Sequence, residues 1–192
     1  MKHFIKNAGW LLFVGFMFGC NTTTVEKPSS STEKDWVKQF DEQLELNGHR
    51  NWILVVDKAF PQQPGMTIIN TNEKLLPVLD AVLKKIGAST HVKPTIFNDA
   101  ELSYLNDSLV PGVSNYKAEL AKTLNGATIQ PLLHDTVFVR MDAASKLFSV
   151  TVLKTEEVIP YSSVFLQLDC GYWSGEKEQQ LRQLMKAQSN KQ

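Results

Sequence analysis

GHRNWILVVDKAFP, residues 48–61, is the stretch on which the fold turns. Trp52-Ile53-Leu54-Val55-Val56 has no polar interruption, so it reads as a strand covered on both faces. His49 lies in the turn before it and Asp57 at its far end. A strand rises about 3.3 Å per residue, which sets these two side chains roughly 25 Å apart along a straight chain. One strand does not bring them together, and a bend near His49 or other parts of the assembly must do so if they share a site.

Outward from this run, strand and helix patterns alternate. Upstream, Trp36, Val37, Phe40 and Leu44 fall on one helical face, and Asn47-Gly48 stops that helix. Downstream, PQQPG (61–65) is a loop and MTIIN (66–70) a second short strand. Pro77 fits the first position of a helix whose stripe is Leu79, Val82, Leu83 and Ile86, with Gly87 closing it. A third strand is expected at Pro94–Phe97, and a helix at 115–124 stopped by Asn125-Gly126. Residues 128–153 are ambiguous: TVFVRMD has strand propensity, whereas AASK after it is helix-like. SVTVL (149–153) and SVFLQLD (163–169) read as strands. The alternation predicts a single α/β domain over 35–175, with a mixed or largely parallel sheet covered by helices and a polar helical tail over 176–192.

The first residues stand apart. Lys2 and Lys6 precede the apolar run AGWLLFVGFMFG, which is of signal-peptide length and ends at Gly19-Cys20. That resembles a bacterial lipoprotein signal over 1–19, with Cys20 as the lipid-bearing residue; an uncleaved anchor is the alternative. Residues 20–34, rich in Ser and Thr, read as a polar tether. Localisation is then the cell envelope, and Asn21, in place of a retention-signal aspartate, favours the outer membrane with the domain facing the periplasm. With Cys20 lipidated, Cys170 is left without a disulfide partner and reads as a small buried hydrophobe.

Composition excludes several functions. The 192 residues carry 20 basic and 20 acidic side chains, with none of the basic excess that a nucleic-acid partner requires. No GxxxxGKS or GxGxxG loop is present for nucleotides, nor a GxSxG elbow for serine hydrolysis. His49, His91, His134 and Asp57 show no short ligand spacing, so no metal is expected. Acid–base chemistry remains: His49 as a proton carrier near neutral pH, Asp57 as orienter or hydroxyl acceptor, and Tyr161 as a phenol at the same edge. Ordinary structural roles suit the same residues: His49 closing a turn, Asp57 capping a loop, Tyr161 packing.

GHRNWILVVDKAFP resembles the opening motif of the D-ribose pyranase and L-fucose mutarotase family, in which a glycine-histidine pair precedes an apolar strand, an aspartate and a proline ending. LLPVLDAVL (75–83) is similar to the family's helix after its second strand, and KLFSVTVLKTEEVIPYSSVFLQLDCG (146–171) to its closing strand pair. The resemblance spans about 36–171 and implies cofactor-free isomerisation of a fucose- or ribose-like sugar. It makes His49 the acid/base, Asp57 the partner of the histidine or of a hydroxyl, and Tyr161 and Ser163 sugar contacts. It also implies a ring-shaped homo-oligomer with sites near subunit contacts. The departures are specific. Ser162 and Ser163 stand where the family has an asparagine, and a gap-free comparison puts Val137 and Met141 where it has a basic residue or histidine and a tyrosine or lysine. His134, Asp135 and Arg140 are the residues a shift would bring there, so His134 and Arg140 join the candidate substrate-binding set. The alternative is a non-catalytic sugar-binding or ring-forming envelope lipoprotein. An apolar wall of Val137 and Met141 in the pocket would favour it, and His134 or Arg140 turned inward would favour the enzyme.

Overall fold

A computed structural model of the chain describes residues 35–189. The signal segment, Cys20 and the tether lie outside the described residues, as do 190–192.

The apolar run after His49 is β1 (Trp52–Val56), 4% exposed at Trp52 and fully buried from Ile53 to Val56. Its side chains alternate between two cores. Ile53 and Val55 face a cluster built on the helices α1 (Asp35–Leu46), α2 (Leu75–Ala88) and α3 (Val113–Leu124). Trp52, Leu54 and Val56 face a second cluster with Val137 and Met141 of α4 (His134–Ser145). A period of two splits one apolar run between two layers, which is why it lacks the polar residues of a half-exposed strand.

Six strands form one sheet in the order β2-β5-β1-β6-β3-β4, with β2 (Met66–Asn70), β3 (Val92–Asp99), β4 (Ile129–Leu132), β5 (Val150–Lys154) and β6 (Val164–Cys170). β1 runs parallel to β5, β5 to β2, and β3 to β4, while β6 lies antiparallel between β1 and β3. Five strands therefore share one direction, and the start of β6 joins their C-terminal ends at one edge of the sheet. The chain is an α/β domain with a mixed, mostly parallel sheet covered by helices.

Several local expectations shift by a turn. α2 begins at Leu75, so Pro77 is its third residue rather than its first. It is still within the first turn, where a missing N–H breaks no helical bond. Gly87 does not close α2, which runs on to Ala88. α3 ends as expected, with Asn125 and Gly126 both left-handed at φ 45° and 80°. The ambiguous segment resolves into β4 and then α4, so TVFVR is helical. α4 buries only the i, i+4 pair Val137 and Met141, a stripe too narrow to dominate the sequence pattern. Its N-terminus is held from outside the helix: the Glu101 carboxylate accepts the His134 N–H at 3.1 and 3.2 Å. The tail is α5 (Gly175–Ser189), which buries no residue. Cys170 is half-buried rather than buried. No helix among the described residues is long and apolar enough to cross a membrane.

Candidate functional site

In open α/β sheets, the groups that meet a ligand gather beyond the C-terminal ends of the parallel strands. Here that edge carries Asp57 after β1, Asp99 ending β3, His134 after β4, and Tyr161 to Ser163 before β6. Asp57, His134 and Tyr161 line a hollow of about 240 Å³, walled also by Phe60, Phe138 and Pro160.

Each polar group is held from behind. The Ser163 hydroxyl donates to Asp57 Oδ2 at 2.9 Å and accepts the Asp57 backbone N–H at 3.1 Å. Asp57 Oδ1 accepts the Ala59 N–H at 2.8 Å. Ser163, 2% exposed, thus locks the carboxylate of the next strand. It is a support to Asp57 at the position where the resemblance implied a sugar contact.

His134 is held between rings and an acid. Its ring meets Phe138 and Tyr161 edge-on, with centroids 4.9 and 5.2 Å apart. Its Nδ1 lies 3.2 Å from Asp99 Oδ1. Asp99 is 1% exposed; the approach of His134 is an ion-pair contact, and neither the Asp99 oxygens nor His134 Nδ1 has a hydrogen-bond partner among the described residues. Burial raises its carboxyl from 3.8 to about 6; His134 pulls it down, and Glu101 and Asp57 push it up. With Nδ1 sealed against Asp99, Nε2 is the nitrogen left for the hollow. Tyr161 holds φ 58°, a left-handed conformation that a bulky residue adopts at a cost of about 1–3 kcal/mol. That backbone turn aims its ring at His134. Nearby, Tyr116 donates its hydroxyl to the Ser162 carbonyl at 2.8 Å, and burial pushes its phenol well above the usual range.

The other candidates lie elsewhere. His49 is at the opposite edge, over half exposed, with Nδ1 3.5 Å from Asp169 at the end of β6. The expectation that it faces one hollow with Asp57 is not met within a single chain, because the straight length of β1 separates them. Arg140 points away from the Asp57 hollow, 5.3 Å over the ring of Phe97. His91 closes the end of α1, its Nε2 3.2 and 3.1 Å from the carbonyls of Leu44 and Asn47. Val137 and Met141 form no pocket wall; both are packed in the second core. No group of three His, Cys, Asp or Glu among the described residues is placed to hold a metal ion.

Sequence reasoning missed Asp99. The available signal was an aspartate at the C-terminal end of β3, a placement like that of Asp57 after β1. Asp57 stood inside a recognisable motif and Asp99 did not.

No family model matches the sequence, and no curated protein matches it. Among solved structures, the chain is similar to Bacillus subtilis RbsD complexed with D-ribose, at 19% identity and a TM-score of 0.49, over 71% of this chain and 93% of that one. It is similar also to the fucose mutarotase from Streptococcus pneumoniae in complex with L-fucose, at 15% identity and a TM-score of 0.49, over 70% of this chain and 94% of that one. A further similar structure is FucU from Bifidobacterium longum, at 14% identity and a TM-score of 0.44, over 67% of this chain and 90% of that one.

Proposed function

We propose that this protein is a monosaccharide mutarotase that interconverts anomers or ring forms of a fucose- or ribose-like sugar through the open-chain aldehyde. The observation that carries the proposal is the pairing of His134 and Asp57 in one hollow, each fixed from behind by a buried side chain, Asp99 and Ser163.

Ring opening needs one proton taken and one given. The Asp57 carboxylate accepts the proton of the anomeric hydroxyl while protonated His134 gives its Nε2 proton to the ring oxygen. The bond between the anomeric carbon and the ring oxygen breaks and a carbonyl forms. Rotation of the aldehyde precedes closure, in which neutral His134 takes back its proton from the attacking hydroxyl and Asp57 returns its own to the new anomeric oxygen. Protons balance over the cycle and no cofactor enters. The Asp99 carboxylate behind Nδ1 stabilises the imidazolium, and the walls of Phe60, Phe138 and Tyr161 offer apolar faces to the sugar's C–H groups.

The proposal extends to the whole chain: a lipid on Cys20, a tether over 20–34, a periplasm-facing domain, and assembly into a ring. Saturation-transfer NMR on monosaccharides measures the chemistry directly. Exchange of at least one sugar above its uncatalysed rate, lost in His134→Ala, is the expected result; uncatalysed rates for every sugar refute the enzyme. Labelling with a radioactive fatty acid tests the anchor, with Cys20→Ser expected to stay unlabelled and equal labelling refuting it.

A further inference from the structure

The chain has three arginines. Arg182 pairs with Glu178 at 2.7 Å. Neither Arg50 nor Arg140 has a carboxylate within ion-pair reach among the described residues, and both line one hollow of about 430 Å³. This hollow lies on the α4 side of the sheet, toward the strand ends opposite Asp57, and is separate from the one holding His134. Trp52 and Phe148 give it aromatic surface, Ala143 and Ala144 of α4 keep it open, and Gln167 adds an amide.

Both guanidiniums lie over rings. Arg50 sits 5.8 Å from the centroid of Phe148 and Arg140 sits 5.3 Å from that of Phe97. Such contacts orient a guanidinium while leaving its N–H edge free for an oxyanion. Arg50 also holds φ 76°, kept there by its N–H to the Leu168 carbonyl at 2.8 Å. A long side chain maintained in a left-handed backbone, in a turn that a glycine would fill without strain, points to a use for the side chain.

We propose that this hollow binds a small organic anion, its carboxylate or phosphate held by Arg50 and Arg140 and its flat apolar body lying against Trp52 and Phe148. A bare inorganic anion leaves the aromatic surface unused, and a neutral aromatic leaves both guanidiniums unmatched. The combination selects a molecule with both features.

Calorimetric titration of the full chain with phenyl phosphate, benzoate, inorganic phosphate and benzyl alcohol tests this. Saturable binding of phenyl phosphate or benzoate is expected, with inorganic phosphate and benzyl alcohol weaker by roughly tenfold or more. Arg140→Gln and Arg50→Gln should each weaken the organic anion by about tenfold to a hundredfold, and Arg140→Lys by less than Arg140→Gln. Arg140 is exposed on α4, and an unchanged melting temperature shows that the variant is folded. Arg50→Gly, which relieves the backbone, serves as the second variant should Arg50→Gln unfold. Absence of binding by either organic anion overturns the proposal, as does equal binding by the folded variants. Sedimentation of the same samples gives a third refutation: a self-association that Arg140→Gln abolishes, with no anion bound, makes this face a contact between copies.

Discussion

At the residue scale, the proposed chemistry rests on what a buried carboxylate does to the histidine in front of it. Asp99 titrates near 6 instead of 3.8 because burial disfavours its charge. The folded state therefore keeps a proton that the unfolded chain has released between about pH 4 and 6. Stability contributed by this group is complete below about 4, falls as pH rises through 6, and is level above that. Asp99→Asn is expected to flatten the decline, read as melting temperature against pH; a wild-type curve that rises monotonically from 4 to 6.5 would contradict it. Activity runs the other way. Only ionised Asp99 stabilises the imidazolium, so sugar exchange should fall as pH drops through about 6, and Asp99→Asn should lower the plateau and remove that limb. Asp57→Asn and His134→Ala each delete a proposed proton-transfer group, and each is expected to reduce exchange by about 10²–10⁴-fold. Ser163→Ala, which frees Asp57 without removing it, should cost less than Asp57→Asn. Of these residues the sequence made Asp57 and Tyr161 legible through the motif and the strand ends. His134 was visible only as one of three residues that a shift would bring there, because a gap-free comparison slides past it to Val137. Asp99 had only its place at the end of β3 to mark it, because its importance is burial beside a residue 35 positions away, which no local pattern encodes.

At the element scale, strands were easier to read than the helix that matters most. β1, β2, β5 and β6 each present an apolar run bounded by turn residues, and those boundaries lie within a residue or so of the expected ones. α4 was ambiguous because Thr136, Val137 and Val139 are β-branched and its buried stripe is two residues wide. It is held in place by the second core and by Glu101 at its N-terminus rather than by its own propensity. The join between β6 and β3 supplies a sharper test. A Cβ on Gly171 would lie 2.7 Å from the Thr90 carbonyl oxygen and 2.9 Å from the Val92 nitrogen, both backbone atoms that cannot rotate aside. Gly171→Ala must part the two strands there and is expected to cost about 1–3 kcal/mol, a drop of several degrees in melting temperature. Gly87, in α2 with open space around its Cα, is the counter-case: Gly87→Ala should stabilise by about 0.5–1 kcal/mol. Equal effects at the two positions would show that the close approach of β6 to the His91 turn does not constrain the sheet.

At the scale of the whole molecule, the sheet direction decides what one chain is able to do. β1 runs from the His49 turn to Asp57, so the two ends of the motif that fixed the fold emerge at opposite edges, His49 beside Asp169 and Asp57 beside Ser163. No side-chain rotation spans the length of a five-residue strand, about 17 Å. Any role for His49 in proton transfer is therefore a role between chains, with the N-terminal edge of one sheet set against the C-terminal edge of the next. The proposed ring supplies that arrangement, and mixed assemblies test whether the chemistry uses it. Chains carrying His49→Ala keep a complete His134–Asp57 hollow but offer a neighbour no imidazole, whereas Asp57→Asn chains offer the imidazole but lack the carboxylate. His49→Ala chains are therefore expected to exchange sugar at close to the wild-type rate, and reassembling them with Asp57→Asn chains should give no more exchange than the sum of the two. Exchange lowered about tenfold or more in His49→Ala, and recovered in part on reassembly with Asp57→Asn chains, would show that the imidazole of one chain serves the carboxylate of its neighbour and would overturn catalysis by the single-chain His134–Asp57 pair.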